Sequence, residues 1–160
     1  MEGGINVSGE SLTLNGTGYA GVFTGALVGA VGNNTWAGPV TLSGAATISS
    51  EAGVLSLSGN VTGTTQTLTL SGMGAGVVSG VIGNGTGGLT KAGRGVWTVN
   101  GANASTFSGA LTLQGGTLVL DYANLATPTN LLNPAVVMNS QGGVLTVRGK
   151  SGEATAQTFG

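Results

Sequence analysis

One short unit recurs along the chain and constrains it more than any other feature. The unit is an apolar residue, a small polar residue or Val, a second apolar residue, a polar residue and usually Gly. Copies begin at Leu12, Val40, Leu55, Leu68, Trp97, Leu111, Leu118 and Leu145. They read, for example, Val40-Thr41-Leu42-Ser43-Gly44, Leu68-Thr69-Leu70-Ser71-Gly72 and Leu111-Thr112-Leu113-Gln114-Gly115. Alternation with period two makes a short strand with one buried face. The Gly that follows supplies a tight corner. The intervals between successive starts run 28, 15, 13, 29, 14, 7 and 27. They gather near multiples of seven, so a strand plus its corner takes about seven residues.

A helical reading fails on composition. Gly makes up 33 of 160 residues, and each Gly inside a helix costs about 1 kcal/mol against Ala. Short strands of this kind fit a sandwich, a barrel or a solenoid. Three features favour the solenoid: the units resemble one another, the corners carry Gly, Asn, Ser and Thr, and the apolar positions are mostly small aliphatics. The expected fold is all-β, a right-handed parallel β-helix (β-solenoid) of repeat architecture. Its coils should take about 20–29 residues, six or so of them spanning roughly 30 Å at the spacing of neighbouring strands. Residues 1–160 read as a single β-helix segment of a longer array, with an irregular loop at 122–134 that holds Pro128 and Pro134.

Composition also removes functional classes. The chain has no Cys and no His, so disulfides, Cys/His zinc sites and Ser-His or Cys-His nucleophile pairs cannot form. Four basic residues and a net charge of −1 leave no basic surface for phosphates, so no nucleic acid is expected as a partner. The most apolar window runs only from Tyr19 to Gly32 and includes four Gly. A span needs about 20 apolar residues, so no membrane span is expected in this segment. The first residues lack the charged and apolar regions of a signal peptide.

The run Gly88-Leu89-Thr90-Lys91-Ala92-Gly93-Arg94-Gly95-Val96-Trp97-Thr98-Val99-Asn100-Gly101-Ala102-Asn103, continuing through Phe107 to Gly115-Gly116-Thr117-Leu118-Val119-Leu120, is the most specific motif. It resembles the autotransporter-associated β-strand repeat, also called the passenger-associated transport repeat. Residues 88–120 match best; Trp97 and Val99 stand where the family has a Leu pair, and the interval from Asn103 to Phe107 is longer than usual. Residues 32–59 and 131–160 are looser relatives, and residues 1–31 match least. The resemblance implies a secreted, cell-surface or outer-membrane passenger β-helix of a bacterium. The family motif carries no catalytic residues, so none carry over.

The five carboxylates, Glu2, Glu10, Glu51, Asp121 and Glu153, are scattered, and no catalytic, cofactor-binding or metal site is expected of them. Lys91 and Arg94 flank one Gly corner and Arg148 and Lys150 another. They read as solvent-facing charges that keep a Gly-rich solenoid soluble, or as a dock for an anionic glycan. Six Asn-x-Ser/Thr triplets, at Asn6, Asn15, Asn33, Asn60, Asn84 and Asn103, read as turn chemistry. Thr-x-Thr pairs cluster between Thr62 and Thr69 and do not recur once per coil in the sequence, which argues against an ice-ordering face.

The expected function is a non-enzymatic extracellular structural module: a stalk, spacer or fibre segment that associates with itself end to end or with covalent neighbours in a longer β-helix. The alternative is an adhesin-type module recognising a glycan or cell surface, with Trp36 and Trp97 as aromatic platforms. The apolar members Leu42, Leu57, Leu70, Leu113 and Val147 should all point into one core.

Overall fold

The computed structural model describes residues 1–19, 21 and 23–160. Residues 20 and 22, inside the apolar window that begins at Tyr19, lie outside the described residues. Among the described residues every regular element is a strand, and every strand pairing is parallel. Among the described residues no helix is long and apolar enough to cross a membrane.

The chain is a β-solenoid. One seven-stranded sheet stacks Asn6–Val7, Asn33–Trp36, Val54–Leu57, Ala75–Val78, Val96–Val99, Thr117–Asp121 and Val144–Arg148 in chain order. The nine-stranded sheet is built around the long strand Val40–Ser50. Its first half pairs with Leu12–Gly16 and Val61–Thr62, the latter followed by Ile82–Gly83. Its second half pairs with Leu27–Gly29 and Leu68–Ser71. Leu89–Lys91, Leu111–Leu113 and Met138–Ser140 continue that half. Each coil thus presents three short faces joined by corners.

Register fixes the coil length. Thr35, Ser56, Val77, Thr98 and Val119 stack directly on one another, and each step between them is the same length. These are four regular turns, each of three faces that take seven residues apiece. A longer step from Asn6 to Thr35 precedes them, and another from Val119 to Thr146 follows. Regular and long turns alike fall in the range expected from the sequence. The stretch 122–134 belongs to the long last turn. Its Tyr122, Leu125, Leu131 and Leu132 are buried in the core, and Leu132 bridges to Ser105 in the main-chain ladder.

Inward columns of apolar side chains form the core. Leu42, Leu57, Leu70 and Leu113 are buried as expected. Val147 is not: it stacks on Leu120 in the inward column, yet it is 49% exposed, on the last strand of this sheet among the described residues. Single outward threonines stack in columns. Thr47, Thr69, Thr90 and Thr112 stand in register, one per coil, and Thr13, Thr41 and Thr62 form a second column. Such cross-strand pairs contribute about 0.2–1 kcal/mol each.

Candidate functional site

The corner that follows Leu68–Ser71 and Leu89–Lys91 concentrates the polar chemistry of the chain. Gly72 and Gly93 turn it with φ of +104° and +68°. The coils also approach closely there. A Cβ at position 72 would lie 1.9 Å from the Ser50 carbonyl oxygen, and one at 93 would lie 2.5 Å from that of Gly72. Only Gly meets both demands.

Lys91 is the central side chain. It occupies an inward position, stacked between Leu70 and Leu113, and is 0% exposed. Its ammonium donates to the carbonyl oxygens of Ala92 (2.5 Å), Gly93 (3.2 Å) and Gly115 (3.2 Å), so it ties together two successive coils at the corner. Burial pulls its pKa down to about 8, because the charged form loses its hydration. This corrects the expectation of a solvent-facing charge. The signal was in the sequence: Leu89-Thr90-Lys91 aligns with Leu68-Thr69-Leu70 and Leu111-Thr112-Leu113, and the third position of that unit points inward. The stem packs as a Leu would, and the head caps main-chain carbonyls.

Trp97 is also committed to the interior. It is 0% exposed, and its Nε1 donates to the Ser71 carbonyl at 2.8 Å, at the same corner. Trp36 is half-buried against the core, stacked between Val7 and Leu57. Trp97 is therefore no platform; alternation puts it in the same inward column as Leu55 and Leu118, at the unit position where the other copies have Leu or Val.

Outside the corner lies a shallow depression of about 330 Å³ lined by Thr24, Glu51, Ser71, Gly72, Met73, Gly93 and Arg94. Ser49 Oγ donates to the Glu51 carboxylate. Arg94 makes no ion pair among the described residues. One carboxylate, one guanidinium and two hydroxyl side chains around a glycine floor can hydrogen-bond a hydroxyl-rich group.

The other acids are dispersed. Asp121 pairs with Arg148 at 3.1 Å and Glu153 with Lys150 at 2.9 Å. Glu2 bridges Val31 in the first coil, and Glu10 lies under Gly38. Among the described residues no three His, Cys, Asp or Glu come together. Two sequon asparagines serve the main chain: Asn84 is buried and donates to Gln66 and Gly88 carbonyls, and Asn60 Oδ1 accepts from Val81 N–H.

No family model, curated protein or solved structure matches the chain. Its placement stands at the level of a β-solenoid repeat protein.

Proposed function

We propose that this chain is a non-enzymatic structural module: a stalk, spacer or fibre segment of a bacterial surface or secreted solenoid of the autotransporter-associated repeat type. One observation carries the reading. The buried polar side chains that a binding or catalytic site would need, Lys91 and Asn84 above all, are committed to main-chain carbonyls of the solenoid itself. The resemblance of residues 88–120 supports the extracellular setting.

The purified chain, incubated with panels of polysaccharides, esters and peptides, should give background turnover and no saturable binding. Turnover lost on replacing two carboxylates together would overturn the reading.

A second reading, an adhesin module, is favoured by the depression between Glu51 and Arg94. Under it, a glycan array gives saturable binding that Arg94→Ala and Glu51→Gln each abolish. Unchanged binding in both variants would remove the depression from consideration.

A further inference from the structure

The outward face of the seven-stranded sheet carries a checkerboard. Each rung of the regular turns sets one Val beside one smaller residue, and the Val changes column from rung to rung. The pairs are Val54 with Ser56, Val77 with Ala75, Val96 with Thr98 and Val119 with Thr117. Register stacks Val54, Ala75, Val96 and Thr117 in one column and Ser56, Val77, Thr98 and Val119 in the next. All four rungs have a strand on either side, so the face belongs to the body of the solenoid. Val96 is 43% exposed, Val54 and Val77 are half-buried, and Val119 is the most covered. Met73, at the border of the face, is among the most exposed apolar side chains of the chain.

That border also carries two charges. Glu51, Met73 and Arg94 precede three successive strands of the sheet and line the same depression. Neither Glu51 nor Arg94 makes an ion pair among the described residues, whereas Asp121 and Arg148, at the opposite border, are paired with each other.

A checkerboard is complementary to itself. Consider a two-fold axis parallel to the strands, midway between Ala75–Val78 and Val96–Val99. It lays Val96 on Ala75, Val77 on Thr98, Val54 on Thr117 and Val119 on Ser56, so every Val of one copy meets a smaller side chain of the other. The same rotation sets Arg94 over Met73, one rung, about 4.8 Å, from Glu51. An axis along the solenoid also sets Val on small residues, but it puts Arg94 against Asn100 and leaves both charges unanswered. Charge selects the first arrangement.

We infer that a second copy of this chain docks face to face on this sheet with its solenoid axis reversed, Arg94 of each copy reaching Glu51 of the other. Sheets packed in this way lie about 10 Å apart with their side chains interdigitated. The face, from the rung of Asn33 to that of Val144 and four outward columns wide, measures roughly 24 by 20 Å. A pair therefore buries about 1,000 Å² in all, the low end for a specific interface. The contact is isologous, so it closes as a dimer. The inference goes beyond the structural-module reading and stands or falls apart from it.

Sedimentation equilibrium of the purified chain should show monomer and dimer in exchange. Val96→Lys sets an ammonium against Ala75 of the other copy and should weaken the dimer about tenfold or more. Arg94→Glu sets carboxylate against carboxylate and should weaken it about tenfold. Glu51→Arg should do the same, and the two charge changes together should restore the natural affinity. Val96 and Arg94 are exposed, so their variants should keep the urea midpoint of the natural chain and test the face without unfolding it.

A chain that stays monomeric over a wide range of concentration overturns the pair and leaves the structural-module reading standing. A dimer indifferent to Val96→Lys is joined through another surface and overturns it as well. A folded charge-exchange variant that stays as weak as Arg94→Glu overturns the reversed orientation. A monomer that binds glycan through Glu51 and Arg94 overturns the pair in favour of the adhesin reading.

Discussion

The indole of Trp97 fills the space that a side chain at position 76 would occupy. The two residues are ladder partners on adjacent coils, and an ideal Cβ at Gly76 would lie 2.3 Å from the ring. Gly76→Ala should therefore destabilise the chain by about 1–3 kcal/mol through overpacking, lowering the urea midpoint and shifting indole emission. Gly76→Ala combined with Trp97→Leu should recover much of that loss. The pair then gives a coupling energy well outside additivity in a double-mutant cycle. Additive losses would show that the indole does not occupy the glycine's space.

Alternation made the inward positions legible, and the fold with them, because a period-two pattern on short strands leaves one face to bury. The coil length was harder to read. Most successive units, such as those beginning at Leu55 and Leu68, fall on different faces, whereas Leu12 and Val40, or Leu118 and Leu145, are ladder partners a long turn apart, so the intervals mix one, two, three and four faces. The coil period appears only when residues on one face, such as Ser56 and Val77, are compared. Lys91 was misread because charge was weighted above position: a long stem can lie in a Leu column if carbonyls receive the ammonium. The depression at Glu51 and Arg94 was not legible, since it joins residues from three coils and the loop at Thr24.

Lys91 should give the chain a distinct dependence on pH. Its folded pKa is about 8, below the ordinary 10.5 of an unfolded lysine. Between those values the unfolded state holds the extra proton, so stability rises with pH. Below about 8 both states are charged and the cost of burying the ammonium is fully present. Tyr122 acts in the opposite sense: burial raises its pKa, with a smaller lowering effect from its hydrogen bond to the Leu131 backbone. Its contribution is lost as pH climbs past the ordinary tyrosine value. Urea midpoints from pH 7 to 10 should therefore rise in the natural chain and stay flatter in Lys91→Met. Parallel profiles would show that Lys91 titrates as an exposed lysine.

Position along the solenoid should decide the cost of a charge in the core. Val99 is buried between Val78 and Leu120, with coils on both sides. Val99→Asp buries a carboxylate among aliphatics and should cost about 3 kcal/mol or more. Val147→Asp puts the same group in an inward column at the open end, where water reaches it. It should cost under about 1 kcal/mol. Chemical denaturation of the two variants compares them directly. Equal losses would mean that the last coil is as enclosed as the middle.

The last turn should detach before the rest, and Tyr122 is the residue that holds it. Its hydroxyl donates to Gln157 Oε1 at 2.6 Å and accepts from Leu131 N–H at 3.3 Å. Gln157 in turn accepts from Leu132 N–H and donates through Nε2 to the Leu132 carbonyl. This network joins the irregular stretch 122–134 to the final residues, where the ladder otherwise offers one isolated bridge, between Thr129 and Ala156. Tyr122→Phe keeps the ring in the core and removes the hydroxyl. It leaves Leu131 N–H buried without its acceptor, a loss of about 1–3 kcal/mol. Because solenoid coils contact only their neighbours, the loss should fall on the end coil and not spread. Hydrogen exchange should quicken at Leu131, Leu132 and Ala156 while Leu70 and Leu89 keep their protection. Equal acceleration at Leu89 would show that the solenoid opens as one cooperative unit.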